Sequence, residues 1–161
     1  MESGKEMKNQ RMLDELTELM RIDVSSGQET EIAEHLVKKL EQMGFAITRD
    51  EAGATFGGVC GNILAVREGE RDGVVCFCSH MDRVPGGIGI KPVEEDGILR
   101  SSGDTILAAD DLSGVAAILE GVRQAIESGK ALPKLEILFT VGEEAGLYGA
   151  KAFDVSLLTS K

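Results

Sequence analysis

A chain of 161 residues, 42% of them hydrophobic, is long enough for one domain with a real core, and 28 acidic against 17 basic residues leave a net charge of −11. That field repels phosphate backbones and argues against nucleic acid as a partner; plain solubility accounts for the acidity. No apolar run approaches the roughly 20 residues that span a bilayer, so no membrane partner is expected, and the polar opening MESGKEMKNQ lacks the apolar centre of a signal peptide.

Three cysteines, Cys60, Cys76 and Cys78, are an odd number without disulfide-like spacing and read as reduced thiols of a cytoplasmic protein. Cys76 and Cys78 would share one face of a strand, as small core filler in preference to a metal pair.

Apolar residues at 13, 16, 19 and 20 predict a helix over 12–21. Ser26 and Glu29 form a capping-box pattern before a second helix over 28–43, whose apolar stripe is Ile32, Leu36, Val37 and Leu40; His35 lies off the stripe and reads as solvated. Short β-like runs follow at 45–48, 62–66 and 74–80, then a hairpin-like segment over 91–104 with an Asp96-Gly97 turn signal. Leu112, Val115, Ala116, Leu119, Val122 and Ile126 mark a long amphipathic helix that stops near Gly129. The continuous apolar run 135–141 predicts a central strand, and a Gly- and Ala-rich helical stretch over 144–153 closes the pattern.

Strands alternating with helices predict a three-layer α/β/α domain with a mostly parallel central sheet. Ligands of such sheets sit beyond the carboxyl ends of the strands. His80 and Asp82 lie at one such end, Glu143 and Glu144 at another, and Asp110 and Asp111 at the start of the long helix. Each pair has an ordinary structural reading: strand-end punctuation, a solvated helix start, a helix N-cap. Together on one rim they supply an imidazole and several carboxylates, the donor set that suits Zn²⁺, Mn²⁺ or Co²⁺. His80 and Asp82, two apart, face the same way, so Asp82 could orient the ring through its second nitrogen.

The segments HMDRVPGGIGIKP, SSGDTILAADDLSGVAAILE and LFTVGEEAGLYGAKAFD resemble the dinuclear zinc metallopeptidases that include peptidase T (tripeptidase), glutamate carboxypeptidase and aminoacylase. The resemblance runs from about Arg11 onward and implies metal-dependent hydrolysis of peptide bonds in short peptides, aminopeptidase- or tripeptidase-like, with two divalent metal ions, Zn²⁺. Carried over by motif, His80 binds one metal, Asp110 bridges both, Glu144 binds the other, Glu143 is the general base and Asp82 orients His80. It also implies a cis peptide between Asp110 and Asp111.

Family members complete each metal with a third protein ligand from further along the chain and carry a lid and dimerisation domain. Residues 1–161 therefore resemble the N-terminal part of a catalytic domain, truncated, with the lid and the C-terminal half of that domain absent. A catalytically inactive fragment, at most a binding or assembly module that self-associates through an unpaired sheet edge, is the alternative reading. Two departures from the family, Leu112 in place of Lys and Arg83 in place of Thr, are expected to flank the site.

Overall fold

The computed structural model describes residues 2–160, with side chains from residue 10. Among the described residues six strands and four α-helices follow one another in the order α1 (Glu2–Arg21), α2 (Thr30–Gln42), β1 (Ala46–Arg49), β2 (Ile63–Arg67), β3 (Val74–His80), β4 (Pro92–Glu95), β5 (Ile98–Ser101), α3 (Ala109–Glu127), β6 (Lys134–Thr140) and α4 (Tyr148–Ala152). The layered α/β class expected from the sequence pattern is the class found.

The main sheet has the order β1-β2-β6-β3. β6 pairs parallel with β3 and antiparallel with β2, which pairs antiparallel with β1. Three strands thus run one way and β2 runs against them, so the sheet is mixed where a mostly parallel one was expected. The cause is the connection between β1 and β2, which holds only a single 3₁₀ turn (Ala52–Thr55) and no crossover helix.

One sheet face packs Ile63, Ala65, Ile137 and Phe139 against Leu19 and Met20 of α1, Ile32, Leu36 and Leu40 of α2, and Val115, Leu119 and Val122 of α3, all buried. The other face carries a smaller cluster of Leu64, Leu138 and Phe153. There Glu136, fully buried, pins the end of the described chain by accepting the amides of Thr159 (2.8 Å) and Ser160 (3.1 Å). Cys76 and Cys78 also lie on this face, half-buried and exposed, and are therefore not core filler.

β4 and β5 form the expected hairpin, with Asp96 (φ 53°) and Gly97 (φ 74°) both in the left-handed region that its tight turn requires. The helix expected over 144–153 shrinks to Tyr148–Ala152, because Gly142, Gly146 and Leu147 all take positive φ and break the helical path before it. No described helix is long and apolar enough to cross a membrane.

Parallel pairing of β3 with β6, Ser79 opposite Phe139 and His80 opposite Thr140, puts the chain exits of both strands side by side. α3 begins at the same edge. The fold thereby brings three separate sequence clusters together.

Candidate metal centre

β3 ends at His80, whose ring is enclosed but for its outer edge, with a side-chain exposure of 10%. Nδ1 lies 3.1 Å from the carbonyl oxygen and 3.3 Å from Oδ1 of Asp82. Both are acceptors, so Nδ1 carries the donated hydrogen and Nε2 turns toward the rim. There Nε2 is 3.2 Å from Oδ1 of Asp110 and 3.9 Å from Oε2 of Glu143. One donor atom each from His80, Asp110 and Glu144 falls within 4.8 Å of the others.

Asp82 is completely buried and does more than orient His80. Its Oδ1 accepts the Glu143 amide at 2.9 Å, and its Oδ2 accepts the Glu144 amide at 3.1 Å together with the Ser26 hydroxyl. One carboxylate therefore sets the imidazole and the backbone of both glutamates. Burial opposes its charge, but His80, Ser26 and the two amides outweigh burial and hold its carboxyl below the usual range.

Asp110 and Asp111 divide the two roles open to them. Asp111 caps α3 by accepting the Gly114 amide at 3.1 Å, and it also accepts the Ser79 hydroxyl at 2.8 Å. Asp110 leaves the helical path at φ −87°, ψ 112°, with its side chain 85% exposed on the rim beside His80. The peptide between them is cis.

The electrostatics fit a cation. Burial raises the pKa of Glu144, and the charges of Asp110, Glu143 and Asp82 raise it further against the pull of His80. Burial lowers that of His80, yet its bonds to Asp82 and Asp110 and the charge of Glu143 push it up to about 9. Crowded carboxylates around one imidazole are what a divalent ion neutralises, and nitrogen with carboxylate oxygen is a suitable donor set. His80, Asp110 and Glu144 could hold it, with Asp82 behind them and Glu143 alongside.

A second group, Glu15, Glu18 and His35, also has donor atoms within 4.8 Å of one another. The ammonium of Lys39 already sits 3.0 Å from Glu15 Oε1 and 2.9 Å from Glu18 Oε2, between the acids where a metal would have to lie. His35 packs beside them and is not freely solvated, at 21% side-chain exposure.

Arg83 and Leu112 do not face the site. Leu112 is a core residue with no exposure. Arg83, 1% exposed, turns away to donate to the carbonyls of Leu19, Met20 and Ile22 at the end of α1 and of Gly87.

With this geometry in place, the sequence profile of peptidase family M28 matches residues 62–157. The chain belongs to peptidase family M28. This M28 chain is similar to the crystal structure of aminopeptidase PepT from Bacillus cereus, with 39% identity and a TM-score of 0.91 over 94% of the chain. A tripeptidase from Staphylococcus aureus gives 35% and 0.87 over 94%. Protein YqjE of Bacillus subtilis is 38% identical over 151 residues. The chain spans 41% of the length of each of these three relatives.

Sequence reasoning about the site missed Ser26, Glu29, Asn62 and Ser79. Asn62 accepts the Val141 amide at 3.1 Å and donates to Asp50 Oδ2 (2.7 Å) and the Gly149 carbonyl (2.9 Å), tying β2 to both sides of the Glu143 turn. The Ser26/Glu29 capping pattern was the one local signal, and its side chains turn out to serve the rim.

Proposed function

We propose that this M28 chain supplies His80, Asp110 and Glu144 as ligands to a pair of divalent cations, Zn²⁺, in an enzyme that hydrolyses peptide bonds of short peptides in the manner of an aminopeptidase or tripeptidase. The observation that carries the reading is the convergence of these three side chains within 4.8 Å, with Asp82 fixing the imidazole from behind. His80 and Asp110 would hold one cation, and Asp110 and Glu144 the other.

Bound cations supply Lewis-acid polarisation of the scissile carbonyl and a lowered pKa for water. The chain's own work is proton handling and geometry. Glu143 takes a proton from the attacking water as its oxygen bonds to the carbonyl carbon, then returns it to the amine nitrogen as the C–N bond breaks. Asp82 holds the Glu143 amide so that the carboxylate stays beside His80. In this reading residues 1–161 correspond to the N-terminal part of the catalytic domain of the relatives, and the remaining ligands, with the lid and dimerisation domain, lie outside them.

A second reading rests on β3, one of the two edge strands of the described main sheet. Val75 (39% exposed) and Phe77 (38%) line an apolar groove of about 230 Å³ with Val122, Ala125 and Leu132. An unpaired edge beside an apolar groove suits a second copy of the chain, as an assembly module without turnover; light scattering that finds only monomer removes this reading.

A calorimetric Zn²⁺ titration of the chain, beside His80→Ala and Glu144→Ala, tests the metal reading. Each substitution is expected to weaken or remove the binding of the cation its residue serves; binding unchanged in either contradicts the ligand set.

A further inference from the structure

Next to the rim, the catalytic reading leaves the buried carboxylate of Glu29 without a role. Glu29 immediately precedes α2 and has no exposure. A capping box would aim Ser26 at the start of the helix, with Glu29 reaching back to it. The helix carries no side-chain cap at all. Ser26 donates instead to Asp82, and Glu29 Oε1 accepts two amides: Gly27 at 2.8 Å and Gly142, 113 residues away, at 3.0 Å.

Gly142 is the hinge between β6 and the two glutamates. Its φ of +59° is open to glycine, and a Cβ there would come within 2.5 Å of the Phe56 ring, which stacks on Tyr148 at 5.0 Å between centroids. Its carbonyl accepts the Tyr148 amide at 3.1 Å. The next two amides, of Glu143 and Glu144, end on Asp82. Three successive N–H groups are thus received by two buried carboxylates from distant parts of the chain. A residue that merely started α2 would need no bond to Gly142.

We propose that Glu29 is a positioning residue for the Glu143-Glu144 pair: its Oε1 fixes Gly142 and so sets where the two side chains meet the rim. The proposal rests on the metal reading given for Glu144. Oε2 of Glu29 is buried without a hydrogen-bond partner, so one acceptor oxygen does the work. An amide oxygen can replace it, because both N–H groups converge on a single atom.

Glu29→Met keeps the length of the side chain and removes the acceptor; Glu29→Gln keeps one acceptor. Leu40→Ala loosens the same helix away from the turn and controls for general destabilisation. In amide spectra of the metal-free chain, Glu29→Met is expected to shift the Gly142, Glu143 and Glu144 signals and speed their exchange, Glu29→Gln to restore them, and Leu40→Ala to leave them in place. Zn²⁺ affinity should fall about 10-fold or more in Glu29→Met, as for other residues that hold ligands in position, and return in Glu29→Gln. Unmoved amides in Glu29→Met, or equal movement in Leu40→Ala, would overturn the proposal. A wild-type chain that binds no Zn²⁺ overturns the metal reading alone, and the amide spectra still decide the role of Glu29.

Discussion

Asp82→Asn removes a charge from a fully buried side chain at nearly constant size. The carboxylate receives the Glu143 amide on one oxygen and the Glu144 amide on the other. Asparagine offers one oxygen and one NH₂, so one amide must face a donor and lose its partner. A buried donor left unsatisfied costs about 1–3 kcal/mol, and the retained bonds lose the added strength of a charged acceptor. The sum is a destabilisation of about 2–4 kcal/mol, a large share of the roughly 5–15 kcal/mol that holds a domain folded. The substitution also removes the strongest influence that raises the pKa of His80, which should fall from about 9 toward its ordinary 6.5. A raised histidine contributes stability that is full below the unfolded value and lost as pH rises through the folded one. The metal-free wild type should therefore weaken between about 6.5 and 9, and Asp82→Asn should weaken less across that window. Urea unfolding on both sides of the window, with an NMR titration of the His80 ring, measures both effects. A variant within about 0.5 kcal/mol of wild type with an unmoved His80 titration would refute the reasoning.

Three other outcomes follow from the same structure. Arg83→Met keeps the apolar stem but abandons acceptors at 2.9 Å (Ile22) and 3.1 Å (Gly87); urea unfolding should show a loss of about 3 kcal/mol, with Zn²⁺ binding retained because the guanidinium points away from the rim. Gly142→Ala forces a Cβ against Phe56 at positive φ and should cost at least about 1–2 kcal/mol by the same assay. Burial raises the pKa of Glu15 and Glu120, but Arg123 and Lys39 on the first, and Arg11, Gln124 and Arg123 on the second, outweigh it and leave both below their ordinary 4.5. Their contribution is present above about 4.5 and lost as pH falls through the lower folded values, so acid unfolding should be shallower in a Glu15→Gln, Glu120→Gln double variant.

Local patterns were read well where one element carries its own signal. The run 74–80 became β3 residue for residue, and Asp96-Gly97 became the turn of the β4–β5 hairpin, because both depend on neighbours in sequence. The three clusters on one rim were legible for a related reason: strand ends next to helix starts share an edge of the sheet. What stayed hidden was set by contacts across long stretches of chain. The reversed direction of β2 depends on its pairing with β6, and the shortened α4 on the backbone turns at Gly142, Gly146 and Leu147. The two-residue spacing pairs Asp82 with His80, yet its bonds to Glu143 and Glu144, 61 and 62 residues away, have no periodic trace in sequence. Arg83 and Leu112 stand beside motif residues in sequence but are buried away from the rim, since adjacent residues on an extended or helical segment point in different directions.

The most direct test is a crystal of the chain grown with Zn²⁺ and measured at the zinc absorption edge. The account predicts an anomalous peak about 2.0–2.2 Å from His80 Nε2 and a carboxylate oxygen of Asp110, with any second peak between Asp110 and Glu144. Zinc found only at Glu15, Glu18 and His35, or no peak on the His80 rim at saturating metal, would contradict it.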